Sequence, residues 1–125
     1  MGYWRRGAAA DYTYEASVQT TDATQTIIDT IPIPTDAAVG LLIVLTGVKS
    51  DGSQILHLVA HSSYKNDGGT VTKNPESAFA SHAHYERSDT VWTYDENISG
   101  TNTRIRVTGK VATTINWKSR VEVYL

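Results

Sequence analysis

Four histidines, at positions 57, 61, 82 and 84, are the side chains here whose spacing suggests chemistry. His82 and His84 are one residue apart, and in an extended segment both rings share a face about 7 Å apart. That is close enough to chelate one ion, although two imidazoles fill only part of a coordination sphere, and a threefold axis would be needed to supply six. A polar loop that holds two histidines is the preferred reading. No metal or cofactor is therefore assigned, and His82 and His84 stand only as the weaker metal candidates. His57 and His61 fall on one face of a strand but about 13 Å apart, too far to share an ion, and are expected on its solvent side. Ser62 and Ser63 follow His61 directly, so their side chains leave opposite faces, and no glycine elbow precedes them. Asp95 and Glu96 also point apart on a strand. Asp67-Gly68-Gly69-Thr70 is turn chemistry rather than a phosphate loop. No nucleophile, base and orienting group converge. The expectation is a chain that is not an enzyme, with a metal-dependent enzyme using the histidines as the weakest alternative.

The elements that would position these residues are strands. Thr (17), Val (11) and Ile (9) together make 37 of the 125 residues, and Tyr adds seven. β-Branched and aromatic side chains fit a pleated, half-buried surface and are poor helix formers. Tyr12–Thr20 alternates cleanly, and Thr24–Ile33 places Ile27, Ile31 and Ile33 on one face until Pro32 and Pro34 end the pairing. Residues 39–49 are apolar on both faces, as in a central strand covered on both sides. After Ser50-Asp51-Gly52-Ser53, residues 54–65 return with Leu56, Leu58 and Ala60 toward the core. A short strand at 70–73 follows, then an irregular stretch over 74–90 whose best helix candidate is 75–81. Residues 91–96 form a strand with Trp92 and Tyr94 on one face.

The last 22 residues, RIRVTGKVATTINWKSRVEVYL, alternate strictly in two runs and predict a hairpin. Ile105 and Val107 lie on the buried face of the first run. Ile115, Trp117, Ser119, Val121, Val123 and Leu125 lie on that of the second, with Arg104, Arg106, Lys118 and Arg120 on the wet face. About eight short strands with regular turn signals read as an all-β fold, an antiparallel sandwich or jelly roll over residues 11–125, preceded by an extended arm at 1–10. At this length roughly two-thirds of the unfolded surface can be buried, so no metal or staple is needed. Cysteine is absent, no apolar run follows Arg5-Arg6, and Ala37–Leu45 is far too short to span a bilayer. The expectation is a soluble chain, with no membrane partner, that folds in a reducing cytoplasm.

The net charge of −2 is unevenly laid out. Residues 11–36 hold Asp11, Glu15, Asp22, Asp29 and Asp36 with no base, whereas residues 104–125 hold five bases against Glu122. Cross-strand pairing within one sheet is the first explanation, and contact between copies, acidic strand on basic hairpin, the second. Nucleic acid is disfavoured, because a basic hairpin in a net acidic chain lacks an overall positive field. Trp92 and Trp117 read as core anchors. Tyr3, Trp4, Arg5 and Arg6, in the arm, are the types that dominate binding hot spots.

Two segments carry a resemblance. Asp22–Ile33 (DATQTIIDTIPI) resembles the opening strand, and Arg104–Gly109 with Thr113–Val121 the closing hairpin, of structural modules in tailed-phage virions. Tyr64–Thr70 (YKNDGGT) is similar to their middle hairpin. Ser119 stands where alanine is usual, and residues 74–87 replace a shorter loop. The resemblance implies a β-sandwich of the virion, self-associating, often as a homotrimer. With the arm it suggests a capsid decoration or cement protein that binds the major capsid protein or other virion proteins through Tyr3, Trp4, Arg5, Arg6, Arg104, Arg106, Lys118 and Arg120. The alternative is a tail-fibre receptor-binding module that contacts host glycan near His82, His84, Tyr85 and Trp92.

Overall fold

The computed structural model describes residues 9–75 and 83–125. Nine strands follow in chain order: β1 (Tyr12–Thr20), β2 (Thr26–Pro32), β3 (Ala37–Lys49), β4 (Ile55–Asp67), β5 (Thr70–Lys73), β6 (Ala83–Arg87), β7 (Thr93–Ser99), β8 (Asn102–Thr108) and β9 (Ile115–Tyr124). They make two antiparallel sheets, so the expected all-β sandwich is what forms. The larger sheet runs β1-β9-β3-β4, with β5 and β6 end to end along the outer edge of β4. The smaller runs β2-β8-β7.

Alternation along each strand decides what the two sheets bury between them. Leu41, Ile43 and Leu45 of β3, Leu56 and Leu58 of β4, and Val121 of β9 face Ile31, Ile105 and Val107 of the smaller sheet, each at most 2% exposed. Trp92 and Trp117 meet edge to face at 6.0 Å in the centre, worth about 1 kcal/mol beyond their buried area. Trp117 Nε1 donates to Thr20 Oγ1 at 2.9 Å, while Trp92 Nε1 is buried without a partner among the described residues. Gly68 and Gly69 (φ 61° and 99°) form the two-residue turn between β4 and β5, both in the left-handed region such a turn demands. Buried Asn66 fastens this corner: its Nδ2 donates to Ile33 O, and its Oδ1 accepts from Gly69 N, both at 2.8 Å.

Four expectations change. The closing hairpin is not a hairpin, since β8 pairs with β2 and β7 whereas β9 lies between β1 and β3 in the other sheet. Two strands with one apolar face each can share a sheet or face each other across a core, and alternation looks the same either way. Gly109 makes the crossing possible: a Cβ there would come within 2.7 Å of Thr20 Oγ1. In β2 a bulge between Ile27 and Asp29 turns Ile28 inward with Ile31, leaving Ile27 44% exposed. β6 lies within the stretch read as irregular; at five residues its strand character comes from pairing with β4 rather than from its own pattern. Leu125 lies beyond β9 and is exposed. The proposed helix over 75–81, Pro75 apart, lies outside the described residues, as do Tyr3, Trp4, Arg5, Arg6 and His82.

Candidate functional site

The separation of β8 from β9 divides the basic residues between two surfaces. Arg104 and Arg106 stand on the outer face of the smaller sheet, opposite buried Thr103, Ile105 and Val107. Lys118 and Arg120 stand on the outer face of the larger sheet. The four form no single patch.

On the smaller sheet the register sets outward side chains in lateral rows: Ile27, Arg106 and Asp95; then Thr30, Arg104 and Asn97; then Pro32, Asn102 and Ser99. Asp95 grips Arg106 bidentately, receiving Nε on Oδ1 at 2.7 Å and Nη2 on Oδ2 at 2.6 Å. That pairing raises the Arg106 pKa. Arg104 donates Nε to Asn97 Oδ1 at 2.7 Å and keeps both Nη groups without a partner among the described residues. Each guanidinium is thus held by a neighbour on β7, so a ligand need not order it. Planar donor forks beside amide and hydroxyl groups suit bidentate recognition of carboxylates and of paired hydroxyls. Asp29, on the neighbouring edge strand, has its pKa raised by burial, which the hydrogen bond from Thr30 N only partly opposes.

A second polar cluster is enclosed between the sheets. The Glu96 side chain is fully buried. Its Oε1 accepts from Ser62 Oγ at 2.6 Å and Tyr64 Oη at 2.7 Å, and its Oε2 from Tyr94 Oη at 2.7 Å. Lys73 Nζ lies 3.7 Å from Oε2, and Thr103 Oγ1 donates to Tyr64 Oη at 3.0 Å. Burial pushes both phenol pKa values upward, and the negative charge of Glu96 adds to each, so both rings stay protonated donors. Asp95 and Glu96 do point apart, as expected. The inward face that carries Trp92 and Tyr94 reaches Glu96 two residues further along β7.

The outer face of the larger sheet carries the remaining expected residues. His57 and His61 are on its solvent side, with His57 Nδ1 3.0 Å from Thr46 Oγ1. His84 is exposed on β6. Glu15 and Arg120 are cross-strand partners at 3.7 Å, so one acid of the acidic segment meets one base of the final strand inside one sheet. An open depression there is lined by Glu15, Ser17, Val44, Thr46, Lys118 and Arg120. Among the described residues no three His, Asp or Glu side chains converge to hold a metal. Of the described residues expected near a glycan, Trp92 is fully buried, half-buried Tyr85 uses its hydroxyl on the backbone of Tyr94, and His84 alone is exposed.

No protein-family model matches this chain, and no curated protein matches its sequence. Among solved structures it is similar to the tailspike protein gp49 of Acinetobacter baumannii bacteriophage Fri1, a capsular polysaccharide depolymerase, at 15% identity and a TM-score of 0.40. It is also similar to the tailspike protein of A. baumannii phage AM24, at 9% identity and a TM-score of 0.42. These likenesses cover 87% and 90% of this chain but only 17% and 26% of the two tailspike chains. The expectation of a chain that is not an enzyme is withdrawn on this finding, because the Fri1 protein is a depolymerase.

Proposed function

We propose that this chain is a structural module of a tailed-phage virion, of the tail rather than the head, and that the outer face of its smaller sheet contacts host-surface polysaccharide. The observation that carries the reading is the pair of guanidinium groups on β8, each fixed by a side chain of β7, with the Arg104 Nη groups open. A polysaccharide offers such a face repeated hydroxyl pairs, and an acidic one offers carboxylates as well. The strand-level resemblance of Asp22–Ile33 and Arg104–Val121 to phage virion modules supports the virion setting. Capsid decoration was expected to use Arg104, Arg106, Lys118 and Arg120 as one contact, and their division between opposite faces weighs against that choice. Capsular polysaccharide, on which the Fri1 tailspike acts, is the ligand class proposed here.

The test is calorimetric titration of the full chain with capsular polysaccharides from candidate hosts, neutral and acidic. Arg104→Ala is expected to weaken binding by about tenfold, roughly 1.4 kcal/mol, while leaving the melting temperature within a degree or two. Undetectable binding across the panel, or an Arg104→Ala chain that binds as well as the parent, would reject the reading. Stoichiometry in the particle separates tail from head: a few copies are expected, and hundreds would restore decoration.

A further inference from the structure

We infer that the outer face of the larger sheet packs against the same face of a second copy of this chain, about a twofold axis parallel to the strands. The sequence of β3 is that of a strand covered on both sides, yet the other layer of the sandwich covers only one. Leu42, Val44 and Val48 project outward from it, half-buried, and β4 adds Ile55 and Val59, which are 48% and 39% exposed. Val44 is the register partner of Val59, and Val48 of Ile55, so the aliphatic groups form pairs across the two central strands. Charged groups flank this stripe, with Lys118 of β9 on one side and Glu86 of β6 on the other. Both lie in one lateral row, which runs Lys118, Thr46, His57, Glu86.

That order makes the face complementary to itself. Rotation about an axis parallel to the strands and centred between β3 and β4 exchanges the two sides of the stripe and keeps each row in place. Val44 then meets Val59 of the second copy, and Val48 meets Ile55. Lys118 meets Glu86 of the second copy, and the symmetry repeats the ion pair on the other side. Arg120 falls opposite His84 of the second copy, with Glu15 already beside it in its own chain. An axis perpendicular to the strands would instead bring rows of unlike composition together. Stacked sheets lie about 10 Å apart, a distance these side chains span. A twofold contact of this kind is isologous and closes at two copies. It leaves the Arg104 and Arg106 face turned outward on both, so it neither uses nor depends on the polysaccharide contact.

The mass of the full chain in solution, measured by light scattering and sedimentation over a concentration series, tests this directly. The expected species is a dimer of the 13.7 kDa chain. Val59→Asp is expected to give a folded monomer. Lys118→Glu is expected to weaken association at least tenfold, and Lys118→Glu combined with Glu86→Lys to restore it to within about threefold. Within one chain these residues are three strands apart, about 14 Å, so restoration requires a second copy. A wild-type monomer or trimer, a Val59→Asp dimer, or a charge swap that does not restore association would each overturn the inference.

Discussion

Arg104 and Arg106 share a strand face but not an environment. Arg106 is satisfied by a carboxylate in a two-point grip, whereas Arg104 is steadied at Nε alone and presents its remaining donors outward. Only an arginine can be held at one nitrogen and still offer a fork, so Arg104→Lys is expected to lose binding nearly as fully as Arg104→Ala in the same titration. Glu96 plays the opposite part, with its carboxylate enclosed by hydroxyl donors. Tyr64→Phe removes one donor to Glu96 and the acceptor for Thr103, and should cost about 1–3 kcal/mol in urea unfolding. Asp29 gives a pH signature. Its folded pKa is raised, so its ionised form opposes folding at neutral pH, and that cost is relieved as pH falls through the raised value toward 3.8. Asp29→Asn should therefore be at least as stable as the parent at pH 7, with the difference vanishing below pH 3.8. A variant less stable at pH 7 would contradict the desolvation assigned to this carboxyl.

At the level of elements, alternation made the faces legible and left the partners hidden. The inward residues of β4, β8 and β9 are readable because a strand must send alternate side chains to opposite sides, whereas β3, apolar on both faces, is expected to be covered twice and is buried on one face only. Sheet membership was not, since β8 and β9 present the same pattern whether they pair or oppose each other. The face of β2 differs from expectation at Ile27 because a bulge changes the phase without a mark in the local composition. β6 escaped notice because AHYER has too few apolar residues to signal a strand. Of the candidate site, Arg104 and Arg106 were recognised as outward bases. Their partners Asp95 and Asn97 follow only once the two-residue turn at Gly100 and Thr101 is recognised, since that turn pairs Ser99 with Asn102 and sets the β7–β8 register, a step alternation alone does not supply. One close approach between elements is also testable. A Cβ on Gly47 would lie 2.7 Å from the Trp117 ring, its cross-strand partner. Gly47→Ala must displace that buried indole and should destabilise the fold by about 1–3 kcal/mol in the same unfolding assay.

Taken whole, the molecule is a sandwich whose outer faces differ in kind. The smaller sheet shows guanidinium, carboxylate, amide and hydroxyl groups with Ile27 and Pro32 along its β2 edge, while the larger shows a central aliphatic stripe between opposite charges. The first suits a hydrated polymer and the second a copy of itself. Paired through the larger sheets, two chains would present two polysaccharide faces in opposite directions, a geometry that bridges two polymer strands rather than gripping one surface twice. The most direct measurement is backbone amide chemical-shift mapping of the full chain during titration with a bound capsular polysaccharide. The expected shifts cluster on β7 and β8 around Asp95, Asn97, Asn102, Arg104 and Arg106, and in Arg104→Ala they need about tenfold more polysaccharide to reach the same extent. Shifts confined to the larger sheet or the loops, with β7 and β8 silent, would contradict the assignment of the polysaccharide contact to this face.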